Sequence, residues 1–80
     1  MMAWRVLEHA DQRWNVSIAA ERRPNSPHWN LVFSFRGTES GQRSVWADYP
    51  LSSSSKAALF VRADRISDDD LIALLVSRLG

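Results

Sequence analysis

The stretch Arg13 to Glu21, RWNVSIAAE, decides the fold. Trp14, Val16, Ile18 and Ala20 occupy one parity, and Arg13, Asn15, Ser17 and Glu21 occupy the other. A period of two with one apolar and one wet face is the signature of an antiparallel strand that buries a single side. Downstream, residues 28–36 (HWNLVFSFR) repeat the pattern, with Trp29, Leu31, Phe33 and Phe35 on the apolar parity and Asn30, Val32, Ser34 and Arg36 on the other. Between them RRPNSP, with two prolines around Asn and Ser, marks a loop.

Working outward, residues 4–9 (WRVLEH) form a short alternating strand, and Ala10, Asp11 and Gln12 are expected to connect it to the next. The alternation sets Trp4 and Val6 on one parity and Arg5, Leu7 and His9 on the other, which is taken as the polar one. A glycine-bearing hairpin loop is expected from Gly37 to Gly41. A fourth strand over 43–49 (RSVWADY) carries Val45, Ala47 and Tyr49 on one face and Ser44, Trp46 and Asp48 on the other. Pro50, which has no N–H for a ladder, is expected to end it. Ser52 to Ser55 form an exposed connection, and residues 56–64 (KAALFVRAD) read as a short helix in preference to a strand.

The C-terminal stretch ISDDDLIALLVSRLG is a helix with its own start signals. Ser67 is an N-cap, and Asp68, Asp69 and Asp70 put negative charge at the positive end of the macrodipole. Ile66 and Leu71 have the spacing of a hydrophobic staple. Leu71, Ile72, Leu75, Val76 and Leu79 share one face, with Leu74 off it. The expected fold is α+β: one small domain over residues 1–80, an antiparallel four-stranded meander covered on one face by the C-terminal helix, with the extra short helix around 55–64.

Composition narrows the function classes. Eighty residues bury only about 60–65% of their unfolded surface, so the core is thin. With no cysteine, disulfides and thiolate metal sites are excluded, and two histidines alone do not make a structural zinc site. The chain calls for no cofactor and no metal. No apolar run nears the roughly 20 residues that span a bilayer, and no signal-peptide run opens the chain, so the expected location is cytoplasmic. The net charge of +1 is too balanced to announce a nucleic-acid binder, although nine of the ten basic residues are arginine.

The order of features resembles that of short uncharacterised bacterial proteins, a domain of unknown function. These have an opening W-x-V strand, a second tryptophan strand, a Leu-Val-Phe strand, an Arg-rich strand ending in Tyr-Pro, and a closing helix that begins Leu/Ile-Ser-Asp-acidic-acidic-Leu. The matching residues are Trp4-Arg5-Val6, Arg13-Trp14, Leu31-Val32-Phe33, Arg43 to Val45, Tyr49-Pro50 and Ile66 to Leu71. This sequence departs by a longer stretch between Tyr-Pro and the final helix, Leu51 to Arg65. The resemblance implies the same fold and brings no activity with it.

Catalytic candidates are few. No serine stands in a nucleophile elbow, the glycines match no phosphate-binding fingerprint, and the three consecutive aspartates point in different directions around a helix. His9 and His28 have no partner visible in sequence. Two surfaces remain. Arg5, Arg13, Arg36 and Arg43 lie on the polar parity or at strand ends, with Arg22 and Arg23 in a loop and Trp46 among them. Arginines beside an aromatic on a sheet can stack and neutralise nucleic acid. Alternatively, Leu7, Val32, Trp46 and the off-face Leu74 offer apolar contact for self-association, a common route to stability for small domains. The leading expectation is a non-enzymatic interaction or structural module, self-associating as a homodimer or bound to another protein. A nucleic-acid-binding module is the alternative, and a small enzyme is third.

Overall fold

The computed structural model describes residues 4–22, 24–38 and 44–80. Four strands come first: β1 Arg5–His9, β2 Gln12–Arg22, β3 Trp29–Gly37 and β4 Ser44–Ser53. They pair antiparallel in the order β1-β2-β3-β4, the expected meander. Two helices follow, α1 Lys56–Ala63 and α2 Asp68–Leu79. The fold is α+β, and the stretch around 56–64 is helical.

Register explains which residues meet. Val16 pairs with Phe35, Ile18 with Phe33 and Ala20 with Leu31. Phe33 pairs with Ala47, and Phe35 with Val45. Cross-strand partners share a face, so the apolar parity of each strand converges on one side. Both helices lie on that side: Leu59 and Ala63 of α1, Ile66, and Leu71 and Leu75 of α2 join Trp14, Val16, Leu31, Phe33 and Phe35 in one core. α1 packs over β2, β3 and β4, while α2 comes closest to the backbones of the edge strands β4 and β1. The lid is therefore shared, and α1 does not cross to the other face. Both N-caps form as serine caps should: Ser55 Oγ accepts from the Ala58 N–H and Ser67 Oγ from the Asp70 N–H.

Three expectations about the strands and their links need correction. The faces of β1 are reversed. The β1–β2 link has two residues, Ala10 and Asp11, at φ 52° and 61°. This is the positive-φ pair of a type I′ hairpin turn. It pairs His9 with Gln12 and Leu7 with Trp14. A three-residue link would have set Leu7 opposite Asn15, and a slip of one residue exchanges the faces of a whole strand. Leu7 is consequently a core residue, 2% exposed, and Val6 is the residue that faces out. Second, Pro50 does not end β4, which continues to Ser53. β4 is an edge strand, where a missing N–H need not break a ladder, and the register shifts here: Leu31 pairs with Tyr49 but Asn30 with Ser52. Third, the serine run is only partly a connection, because Ser52 and Ser53 belong to β4 and Ser55 caps α1. Residues 39–43, most of the expected β3–β4 loop, lie outside the described residues.

Candidate functional site

Among the described residues, no helix or strand covers the side of the sheet away from the helices. Pairing lays its residues out in rows across the strands. Val6, Asn15, Arg36 and Ser44 form one row, and Ser17, Ser34 and Trp46 the next. Then come Ala19, Val32 and Asp48, followed by Glu21, Asn30 and Ser52. Beyond the Val6 row, Glu8 faces Arg13. Most of these side chains are short, so the face is shallow. Two of the four large exposed apolar residues of the described chain stand on it, Trp46 at 62% exposure and Val6 at 49%. The other two, Val61 and Val76, sit singly on the outer surfaces of the helices, where an isolated apolar side chain needs no explanation.

The sequence-predicted apolar contacts divide. Trp46 is on the open face and exposed. Val32 is on the same face but only 4% exposed, set between Ala19 and Asp48, so it floors the surface and does not project from it. Leu7 is in the core. Leu74 packs half-buried against the core and is not an outward contact.

The arginines divide as well. Arg5 turns toward the helices. Its guanidinium donates to the backbone carbonyls of Asp64 and Ile66 and to the Asp68 carboxylate, and it lies 4.2 Å from the centroid of the Trp4 ring. The Trp4 indole in turn stacks on Phe33 and donates to Asp64 Oδ1 at 2.9 Å. This pair ties the N-terminal strand to the α1–α2 link, a positioning role that the sequence reading missed. With β1 reversed, Arg5 follows Leu7 to the helix side. Arg13 is on the open side but forms an exposed ion pair with Glu8 at 3.1 Å. Arg36 is exposed on the open face, one row from Trp46 and on the neighbouring strand. Arg22, at the far end of β2, lies 5.4 Å from the centroid of the Trp29 ring, which also has Lys56 at 5.2 Å. Arg23 and Arg43 lie outside the described residues. The described arginines thus do not converge on Trp46; Arg36 alone is beside it.

No acid–base constellation forms among the described residues. His9 ends β1 beside the β1–β2 turn, and His28 precedes β3 at the opposite end of the sheet. The hollow near His9 is a shallow surface depression lined by Glu8, Asp11, Gln12, Arg13 and Thr38. Its Glu8 is taken by Arg13, and Thr38 is anchored to the Arg13 carbonyl through both its N–H and its hydroxyl. Among the described residues no three His, Cys, Asp or Glu side chains gather as metal ligands, and no helix is long and apolar enough to cross a membrane. No protein-family model matches the chain, and no curated protein or solved structure matches it either.

Proposed function

We propose that this chain is a non-enzymatic interaction module that works as a homodimer through its open sheet face. One observation carries the reading: Trp46 stands 62% exposed on a shallow face of small side chains that no described element covers. Tryptophan is the residue type most enriched among the energetic anchors of interfaces. Leaving so much indole in water is unfavourable, at about 25 cal/mol per Å² of apolar area. Short flanking side chains would let a second layer come close enough to cover it. A thin core adds a motive, because small domains gain most from a partner.

The nucleic-acid reading draws on the same tryptophan but on fewer cations. Among the described arginines, Arg5 is engaged with the helices and Arg13 with Glu8, which leaves Arg36 beside Trp46, with Asp48 on the adjacent row of β4. That balance favours a protein surface over a polyanion.

Sedimentation equilibrium at micromolar concentration tests the proposal. Wild type is expected at twice the 9.1 kDa chain mass. Trp46→Ala is expected at the monomer mass with an unchanged circular-dichroism spectrum. A wild type that stays monomeric overturns the reading.

A further inference from the structure

Among the described residues, the charges of the open face are polarised along the strands. Glu8 and Arg13 neutralise each other at one end. Among the described residues, Arg36 is then the free cation of that end, while Asp48 and Glu21, both exposed, occupy rows on the other side of the central Ser17–Ser34–Trp46 row. Arg36 and Asp48 are two rows apart, about 13 Å along the strands, too far to pair within one chain.

We infer that two copies stack open face to open face with their strands antiparallel, so that Arg36 of each copy meets Asp48 of the other. The inference rests on the dimer reading above and adds its geometry. A two-fold axis along the Ser17–Ser34–Trp46 row exchanges the Arg36 row with the Asp48 row and brings the two Trp46 rings together at the axis. The lateral offset is one strand spacing, about 4.8 Å, within reach of an arginine side chain. An axis parallel to the strands would instead set the Arg36 row over itself and the Asp48 row over itself, like charge on like. Charge therefore selects the antiparallel stack.

Area and edge chemistry favour the face over the strand edges. With β3 nine residues long and four strands across, the face covers on the order of 500 Å² per copy. Two copies then bury about 1,000 Å², the lower bound for a specific interface. The edges are guarded. β1 is five residues long, and β4 carries Asp48, Pro50 and a register shift, the devices that discourage edge-to-edge pairing.

Charge reversal tests the geometry. R36D and D48R are each expected to weaken the dimer at least about tenfold, since the two-fold axis repeats each clash twice. The double variant R36D/D48R is expected to return to within about threefold of wild type, because both pairs re-form with their signs exchanged. An equimolar mixture of the two single variants is expected to form a heterodimer. In it the introduced aspartate of one copy meets the introduced arginine of the other, and the second pair keeps the native Arg36 and Asp48. The readout is sedimentation equilibrium at low salt, with thermal melts confirming that each variant folds. If wild type is dimeric and sensitive to Trp46→Ala but the double reversal is no better than the singles, the antiparallel stack is wrong and the dimer reading stands. If wild type is monomeric, both fall.

Discussion

The two faces of the sheet are built by alternating residues of the same four strands, so they share backbone, register and twist. Side-chain volume and covering separate them. On the helix side, Val16, Leu31, Phe33 and Phe35 reach zero exposure beneath Leu59, Leu71 and Leu75. On the open side the corresponding positions hold Ser17, Asn30, Ser34 and Arg36, and one large ring, Trp46, is left in water. Under the proposed dimer, stability and recognition fall to different parities of the same strands. A substitution on one face should leave the other nearly untouched.

The strongest way to break this comparison is to truncate both faces. Phe33 stacks with Trp4, contacts Phe35 and meets Tyr49 edge-on, with ring centroids 5.6–6.2 Å apart. Phe33→Ala is expected to cost about 3–5 kcal/mol. That is a large part of the roughly 5–15 kcal/mol typical of a domain, so the variant should be partly or wholly unfolded at room temperature. Trp46→Ala should change the stability of the monomer by no more than about 0.5 kcal/mol. Urea titrations below the dimer dissociation constant measure both. Equal losses would mean that the open face is core, and the division of labour would be lost.

Arginine supplies the next test, because it occurs on both sides. Arg5 serves two carbonyls and a carboxylate with one guanidinium, and its side chain is 20% exposed. The Asp68 carboxylate is 63% exposed, so the ion pair itself contributes little and the carbonyl contacts carry most of the effect. Arg5→Ala should cost about 2 kcal/mol, and Arg5→Lys should recover only part, because an ammonium lacks the planar fork. Arg13→Ala removes an exposed pair and should cost about 0.5 kcal/mol or less. Thermal unfolding of the three variants ranks them. A loss at Arg13 matching that at Arg5 would contradict the positioning role given to Arg5.

The helices that cover one face differ in how they begin, and this gives a smaller effect. α2 has three aspartates in its first turn, and α1 has no acidic residue there. Both have serine caps. Ser67→Ala should cost about 1 kcal/mol and Ser55→Ala about the same, since each removes one capping bond. Asp69→Asn/Asp70→Asn, which spares the Asp68 carboxylate that accepts from Arg5, should cost α2 a further few tenths of a kcal/mol per charge, an effect that fades with added salt. Salt-independent losses would assign the aspartates to something other than the helix dipole.

Much of this was legible in the sequence, and its limits have a physical cause. Period-two alternation placed Trp14 to Ala20 and Leu31 to Phe35 on the covered face because each strand carries many residues of one parity. The start of α2 was legible because cap, acidic turn and staple agree. β1 has only five residues, and its parity hangs on the turn that follows it. Ala-Asp is not a composition that announces a type I′ turn, so the sequence reads as a three-residue link, Ala10 to Gln12. The error moved Leu7, Arg5 and Val6 together. Two of the candidate site residues were lost to it, and the clamp made by Trp4 and Arg5 was hidden. Pro50 misled for a related reason: its effect depends on whether the strand is central or at an edge, which a local pattern does not contain. Trp46 was found because its parity on β4 follows from Val45, Ala47 and Tyr49 and needs no turn.

That turn yields a smaller effect than the loss of either helix cap and bears most directly on the two faces. Ala10 and Asp11 both hold positive φ, where a residue with a Cβ is strained by about 1–2 kcal/mol, less for aspartate. Ala-Asp favours the I′ geometry less than Asn-Gly does, Ala10 least of all. The register of β1 is therefore held by what it buries: Leu7 against Trp14 and the core, and Arg5 against the α1–α2 link. Replacing Ala10→Asn together with Asp11→Gly should relieve the strain and raise stability by about 0.5–1 kcal/mol, seen as a higher urea midpoint with an unchanged slope. The faces should stay as they are, with Val6 outward and Leu7 inward, because the new pair favours the same two-residue link. A drop in stability would mean that the native link is not a strained I′ turn. Leu7 and Val6 would then have to be reassigned, and with them the boundary between the two faces at β1.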